Sequence, residues 1–229
     1  MELGLHPISW VICAAYNEAP AIGRVVTELK DAGYNVVVVD DGSTDGTGRI
    51  AAAAGADVVV HPINLGQGAA LQTGIDYALA QDAGILVTFD ADGQHRVSDI
   101  PRLLDALIRE RADFALGSRF LGQTYNLPAL RRWVLRAATV FTRWTTGLRL
   151  TDSHNGLRAL SRQGAAAIRL HQNRMAHASE ILAEIARSRL RYVEVPVTIE
   201  YTQYSLAKGQ RIGDSVMILR DLFAQELSR

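Results

Sequence analysis

The sequence lacks the features of a secreted or a membrane-spanning protein. Its one cysteine, Cys13, cannot form an internal disulfide, and its place in an apolar run predicts a buried side chain. No apolar run reaches the ~18 residues that a membrane-spanning helix needs. Residues 1–7 contain no basic segment followed by an apolar core, so we expect no signal peptide. Together these absences predict a cytoplasmic protein.

An excess of either charge is also missing. The chain of 229 residues has 24 basic and 24 acidic side chains, so its formal net charge is zero. Because nucleic-acid-binding proteins usually carry excess positive charge, we expect no nucleic-acid partner. The length and the 48% of hydrophobic residues are typical of one packed α/β domain, which we expect to span residues 1–229.

Strand-like and helix-like segments alternate along the first half of the chain. This alternation, with β-branched apolar strands, predicts a mostly parallel sheet covered by helices on both faces. The predicted strands are 8–15, 35–39, 57–61, 84–89 and 113–117, and the predicted helices are 19–32, 45–54, 67–80 and 98–109. In the second half we predict helices at 128–148, 176–187 and 213–227 and strands at 156–160 and 191–201. Pro196 predicts that the last strand lies at an edge of the sheet.

Polar side chains cluster where three of the predicted strands end. The clusters are Tyr16-Asn17-Glu18, Asp40-Asp41-Gly42-Ser43 and Asp90-Ala91-Asp92-Gly93-Gln94. Ligands of open α/β sheets bind at the carboxyl ends of the strands. The topology alone therefore predicts one site that is built from these three clusters.

The third cluster has the composition of a metal site. Asp90 and Asp92 are two residues apart, and both carboxylates can reach one hard cation where the chain turns. Gln94 could add a carbonyl oxygen. Mg²⁺ or Mn²⁺ at this point would stabilise a leaving diphosphate. The alternative is a solvated acidic turn, and the buried strand before Asp90 favours the metal site.

The second cluster allows two interpretations. An acidic side chain at a strand end commonly accepts a hydrogen bond from a ribose or a base, so we expect Asp40 and Asp41 to contact a nucleotide. Ser43, Thr44 and Asp45 fit better as turn and helix-cap residues. Further along, the glycines of residues 64–70 open a helix whose N-terminus attracts phosphate, although glycines also serve tight turns.

Four motifs in order resemble the family 2 glycosyltransferases of GT-A fold, a Rossmann-like fold of nucleotide-diphospho-sugar transferases. They are residues 14–18, 39–47, 64–70 and 90–95, and the match continues through 117–119, 131–132 and 152–158 to about 195–197. The most similar subgroup is the dolichyl- or polyprenyl-phosphate mannosyl- and glucosyltransferases. The resemblance therefore covers most of the chain.

The resemblance implies an inverting transfer of a mannose- or glucose-type sugar from a UDP- or GDP-sugar to dolichyl or undecaprenyl phosphate. Residues 1–120 would bind the nucleotide sugar, and residues 121–229 would bind the acceptor and face the membrane. The implied donor-binding residues are Ala15, Tyr16, Glu18, Asp40, Asp41, Gln67, Asp90, Ala91, Asp92 and Lys208. Asp92 and Gln94 would hold Mg²⁺ or Mn²⁺. Arg119, Arg131 and Arg158 would bind the acceptor phosphate, and Asp90, Asp92 and Arg119 would be the catalytic residues.

The sequence departs from this subgroup at two positions. Many relatives have a lysine where Gln67 stands, so that contact with the diphosphate would be weaker here. Relatives often carry an arginine and a Ser-Lys pair in the loop after the long strand. In this chain residues 204–210 read Tyr-Ser-Leu-Ala-Lys-Gly-Gln, and Lys208 could supply the positive charge. The alternative for Lys208 is a surface lysine before a helix.

A basic helix favours contact with a membrane. Residues 114–151 contain six arginines and no acidic residue. Trp133, Val140 and Trp144 fall on one face of the predicted interfacial helix, beside Ala137 and Phe141. Basic residues next to such a face suit an anionic membrane surface, so we expect peripheral binding at the inner face of the membrane. The alternative is that this face packs against the sheet as core.

Two other functions stay open at this point. The enzyme could act directly on a glycan or lipid hydroxyl, which would need a general base, and Glu180 is a candidate. The chain could also be a non-catalytic nucleotide-sugar-binding protein, although its Asp90, Asp92 and Gln94 argue against this. A small membrane-protein partner or a homo-oligomer is also left open.

Overall fold

The computed structural model describes residues 9–170 and 176–202. The strands are β1 (Ser9–Ala15), β2 (Asn35–Asp40), β3 (Asp57–Val60), β4 (Ile85–Thr88), β5 (Phe114–Tyr125), β6 (Arg158–Ser161) and β7 (Tyr192–Glu200). The helices are α1 (Ala19–Asp31), α2 (Thr47–Ala53), α3 (Gln67–Ala80), α4 (Ile100–Arg109), α5 (Ala129–Thr146), α6 (Arg162–Ala167) and α7 (Ala176–Arg187). A 3₁₀ turn, Val97–Asp99, precedes α4. The predicted helix 213–227 and Lys208 lie outside the described residues.

The seven strands form one sheet in the order β3-β2-β1-β4-β6-β5-β7. All neighbouring pairs are parallel except those of β6, which runs antiparallel to β4 and to β5. The predicted mostly parallel sheet is confirmed. The amino end of β6 consequently lies at the same edge of the sheet as the carboxyl ends of β1, β2 and β4.

Successive side chains of the strands belong alternately to two hydrophobic cores, one on each face of the sheet. On β1, Val11 and Cys13 belong to the core under α1 and α4, whereas Ile12 belongs to the core under α3 and α7. This alternation is the one that a strand geometry with a period of two dictates. Helices therefore cover both faces, as predicted, and Cys13 is fully buried.

The two strands at the far end of the sheet differ in part from the prediction. The edge position that Pro196 predicts for β7 is confirmed. The predicted strand 113–117 was too short, because β5 continues past a bulge after Ser118 and pairs with β7 as far as Tyr125. Gly122 permits this, since a Cβ atom there would overlap the backbone of Val197.

Two helices also differ from the prediction. The second helix begins at Thr47 rather than Asp45, because Gly46 takes a left-handed conformation with φ 88°. The carboxylate of Asp45 accepts a hydrogen bond from the backbone N–H of Thr47 at 3.0 Å, which is the expected helix-start role. Helix α6 was not predicted because its six residues are too few to show a helical period.

We predict that Gly74→Ala lowers the free energy of unfolding by about 1–3 kcal/mol, because a methyl group there would overlap Cγ2 of Ile12 between α3 and β1. Gly23→Ala in α1 is the matched control, since its Cβ atom would lie 3.0 Å from Cγ2 of Ile50 and needs a smaller shift. Urea unfolding measures both. Equal stability of the two variants would contradict the close packing of α3 on β1.

Candidate active site

A cavity of about 450 Å³ opens at the edge of the sheet where β1, β2 and β4 end and β6 begins. Most of the residues expected at the site line it. They are Ala15, Tyr16, Glu18, Asp41, Gln67, Asp90, Ala91, Asp92, Gln94, Arg119, Arg131 and Arg158. The three polar clusters of the sequence therefore meet in one place.

Asp40 is the predicted donor-binding residue that the structure places elsewhere. It does not line the cavity, and its carboxylate accepts hydrogen bonds from the N–H groups of Ser43 at 2.9 Å and Gly48 at 3.0 Å. The cause is strand alternation, because Asp40 shares its face of β2 with Val38, which lies in the core under α1. In the structure this carboxylate closes the turn before α2, whereas Asp41 lines the cavity.

The turn that follows β2 is joined to the turn that follows β1. The hydroxyl of Ser43 accepts a hydrogen bond from Asn17 N–H at 2.9 Å, and the Asn17 side-chain oxygen accepts one from Thr44 N–H at 3.0 Å. The carboxylate of Asp45 accepts another from Ala19 N–H at 3.0 Å. Ser43, Thr44 and Asp45 thus fix the two loops against each other, which is their expected turn role, whereas the N-cap position of α2 is Gly46.

The end of the cavity at which the sequence predicts a metal, called here the metal end, is formed by the loop after β4. Oδ2 of Asp90 lies 2.8 Å from Nε2 of His95. Asp92 accepts hydrogen bonds from the backbone N–H and the side-chain amide of Gln94, at 3.0 and 2.5 Å. Burial, and after it the negative charge of Asp90, raise the pKa of Asp92 to about 6.

These residues fit a divalent cation. Within residues 9–170 and 176–202, no three His, Cys, Asp or Glu side chains form a ready metal centre. The site would therefore need a ligand's own oxygens in addition to Asp92 and Gln94. The raised pKa of Asp92 shows that its negative charge is poorly stabilised, so a cation would relieve it. The Gln94 amide now donates to Asp92, so it would have to turn over to present its oxygen to a metal.

Three arginines form the wall next to β5 and β6. Arg119 is buried, donates through Nε to Asp152 at 2.6 Å and through Nη1 to the Tyr201 hydroxyl at 2.7 Å, and also donates to the carbonyl of His154. The guanidinium of Arg131 lies 5.0 Å from the centre of the Tyr201 ring. Arg158 is buried beside Asp90 and Asp152, and burial lowers its pKa to about 10.

Sequence reasoning missed Tyr201, Asp152 and Asn155. Asp152 and Asn155 lie in the segment 152–158 that matches the family pattern, but neither received a role, and Tyr201 lies beyond the end of the match. Tyr201 is the residue after β7 and joins Arg119 to Arg131. Asn155 lines the cavity, and its buried side-chain nitrogen has no hydrogen-bond partner among the described residues. Glu180, the candidate general base, does not line the cavity.

Comparisons with known proteins agree with this geometry. Residues 10–168 match the family model for glycosyl transferase family 2. An uncharacterised protein of Methanocaldococcus jannaschii is 37% identical to this chain, and the alignment covers 95% of this chain and 92% of that protein. A UDP-N-acetylglucosamine–dolichyl-phosphate N-acetylglucosaminyltransferase of Methanococcus voltae is 32% identical to it, over 89% of this chain and 90% of that enzyme. An undecaprenyl-phosphate mannosyltransferase of Micrococcus luteus is 33% identical to it, over 90% of each chain.

Solved structures show the same fold. The glucosyl-3-phosphoglycerate synthase of Mycobacterium tuberculosis superposes with a TM-score of 0.75 and is 21% identical in sequence. The superposition covers 97% of this chain and 80% of the synthase chain. That enzyme has also been crystallised with Mn²⁺, uridine diphosphate and its product. The GT-A fold expected from the sequence is confirmed. The chain belongs to glycosyltransferase family 2 and is a glycosyltransferase, which sets aside a non-catalytic binding protein.

We predict that Asp152→Ala lowers the free energy of unfolding by about 3–5 kcal/mol, because it leaves Arg119 buried without its ionic partner. Asp76→Ala is the matched control. It breaks the Arg169–Asp76 pair, which has the same 2.6 Å separation but is exposed to solvent, and we expect a change below about 1 kcal/mol. Urea unfolding of both variants tests this, and similar losses would contradict a special role for the buried pair.

Proposed function

We propose that this glycosyltransferase transfers a mannose- or glucose-type sugar, with inversion, from a UDP- or GDP-sugar to the phosphate of dolichyl or undecaprenyl phosphate. The observation that carries the proposal is that Arg119, Arg131 and Arg158 line the same cavity as Asp90 and Asp92. The names of two relatives, a dolichyl-phosphate and an undecaprenyl-phosphate transferase, support the same acceptor.

In this proposal one group of cavity residues binds the donor and another binds the acceptor. Tyr16, Glu18 and Asp41 would bind the nucleoside, while Asp92 and Gln94 would hold Mg²⁺ or Mn²⁺. The metal, when bound, supplies positive charge next to the leaving group. Arg131 and Arg158 orient the acceptor phosphate, and Arg119 holds that wall in place through Asp152 and Tyr201.

The reaction is a single displacement. An oxygen of the acceptor phosphate attacks the anomeric carbon from the face opposite the diphosphate. The new carbon–oxygen bond forms as the bond to the diphosphate breaks, and the nucleoside diphosphate leaves with the electron pair. Because the attacking oxygen is already an anion, no proton must be removed, so catalysis rests on positioning and charge. The absence of Glu180 from the cavity lining is consistent with this.

Helix α5 supplies a surface for the membrane that holds such an acceptor. Its buried residues, Leu135, Ala138, Thr139 and Thr142, face the protein. On the other side Trp133 and Trp144 are 70% and 77% exposed, and Leu130 and Val140 are 68% and 64% exposed. The alternative that this face packs against the sheet is therefore wrong. An exposed apolar stripe flanked by arginines fits peripheral binding to an anionic bilayer at the cytoplasmic face.

In the described part of the chain, no helix is long and apolar enough to cross a membrane.

The first test is a transfer assay with radiolabelled UDP- and GDP-sugars and Mg²⁺ or Mn²⁺, with and without a short polyprenyl phosphate. We expect label to enter the organic phase only when the lipid is present, and EDTA to abolish the transfer. Asp92→Ala should lower turnover by several orders of magnitude because it removes the main metal ligand. Metal-dependent transfer to a glycan hydroxyl, with no lipid product, would replace the proposed acceptor by the alternative one.

The second test is flotation with anionic phospholipid vesicles. We expect Trp133→Ser combined with Trp144→Ser to weaken vesicle binding at least tenfold, because burying each indole contributes roughly 1.5–3 kcal/mol. Binding should also weaken as salt rises, since the flanking arginines are exposed. Val60→Ser combined with Ile63→Ser is the control, because these side chains are similarly exposed and lie outside α5. Equal losses in the two double variants would refute α5 as the membrane surface.

A further inference from the structure

We propose that Asn155 is a further binding residue for the acceptor, and that its side-chain nitrogen donates a hydrogen bond to an oxygen of the acceptor phosphate. The inference rests on the proposed function, in which that phosphate binds beside Arg119, Arg131 and Arg158. It adds one neutral donor to a wall on which only cations were expected from the sequence.

The side chain of Asn155 has one polar atom in use and one without a partner. Asn155 is 3% exposed and lines the cavity. Its Oδ1 accepts a hydrogen bond from the backbone N–H of Leu157 at 3.0 Å, whereas its buried Nδ2 is unpaired within the described part of the chain. A buried donor without a partner costs about 1–3 kcal/mol. A ligand of the cavity that accepts this hydrogen bond would remove that cost.

The orientation of the Asn155 amide is fixed by its neighbours. The N–H of Leu157 only donates, so the atom that faces it must be the amide oxygen, and turning the amide over would bring two donors together. Gly117 lies close to the same oxygen, since a Cβ atom at residue 117 would be 3.2 Å from it. The unpaired atom is therefore the nitrogen, which carries two N–H groups.

The turn before β6 does not itself require an asparagine. A serine or an aspartate at residue 155 could accept the same hydrogen bond from Leu157, because both residues form turns of this kind. What asparagine adds is the amide nitrogen. Since the turn leaves that nitrogen unused, we look for its partner in the cavity.

Asn155 lies in the loop that connects the arginine wall to the metal end. The residue before it, His154, accepts a hydrogen bond from Arg119 through its backbone carbonyl. The residue after it, Gly156, packs so closely on Asp90 that a Cβ atom there would overlap the carboxylate. The two neighbours of Asn155 thus contact one residue of each group, and in the proposed function donor and acceptor meet between these groups.

The carboxylates on either side of this loop already have donors. The carboxylate of Asp152 accepts from Nε of Arg119 at 2.6 Å. That of Asp90 lies 2.8 Å from Nε2 of His95. Neither carboxylate has a hydrogen bond with the Nδ2 atom of Asn155, which leaves a ligand oxygen as its partner.

A phosphate oxygen fits this position better than a sugar hydroxyl does. Asn155 shares the cavity with Arg119, Arg131 and Arg158, and arginine side chains only donate hydrogen bonds. A hydroxyl group brings a proton that needs an acceptor of its own, whereas an ionised phosphate accepts from every donor of the wall. The negative charge of the phosphate also strengthens each of these hydrogen bonds.

Steady-state transfer to a short polyprenyl phosphate tests the inference with two variants of the full chain. Asn155→Ser removes the amide nitrogen and keeps an oxygen for the turn, and we expect kcat/KM for the lipid to fall at least tenfold. Asn155→Asp keeps the contact with Leu157, and the repulsion between its negative charge and the phosphate should lower kcat/KM further. In Asn155→Ser, the KM of the nucleotide sugar should stay within about twofold of the wild-type value.

Asn35→Ser is the matched control, because it makes the same substitution at an exposed residue at the start of β2, outside the cavity lining. Its kinetic constants should equal those of the wild type. Wild-type kcat/KM for the lipid in a folded Asn155→Ser variant would overturn the inference and leave the proposed function untouched. If that variant does not fold, unchanged kcat/KM in Asn155→Asp would overturn it.

Two further outcomes separate the inference from the function on which it rests. A loss confined to the KM of the nucleotide sugar, with Asn155→Asp close to wild type, would overturn the inference and assign the nitrogen to a sugar hydroxyl, which can donate to a carboxylate. Absence of lipid product from the wild-type enzyme would overturn both the inference and the proposed acceptor.

Discussion

The buried ion pair between Arg119 and Asp152 holds the arginine-lined side of the cavity together. Arg119 comes from β5, Asp152 from the loop before β6, and the third partner, Tyr201, from the end of β7. The loop is fixed a second time by Glu194 of β7, whose carboxylate accepts hydrogen bonds from the backbone N–H and the hydroxyl of Thr151 and from the backbone N–H of Asp152. The wall that contains Arg119 thus depends on a buried ion pair and on a second set of hydrogen bonds that lies nearer the solvent.

The side of the cavity next to the turns after β1 and β2 is held in a different way. Its loops have no comparable buried ion pair between arginine and aspartate in the described residues, and short polar side chains join them instead. Ser43, Asn17 and Asp45 bind backbone N–H groups of the neighbouring turn. These hydrogen bonds hold the turns after β1 and β2 against each other.

The sequence predicted the sheet and the general position of the site, because parallel strands bring their carboxyl ends to one edge. It could not separate Asp40 from Asp41, since both are acidic and adjacent, and only the exact end of β2 decides which side chain faces the cavity. It also missed Tyr201, because contacts with residues far along the chain have no local pattern. The amphipathic pattern of α5 was visible, but whether its tryptophans are buried depends on which face meets the sheet.

The inverted strand β6 has a consequence for how this enzyme could diversify. Because β6 runs against its neighbours, the loop before it reaches the edge at which the parallel strands deliver their loops. In the proposed function, the described residues that bind the donor and those that bind the acceptor come from separate stretches of chain, one up to Gln94 and one after Ser118. The two stretches meet where Gly156 and Arg158 lie beside Asp90. Substitutions in the second stretch could therefore change the acceptor of such an enzyme while the enzyme retains its nucleotide sugar.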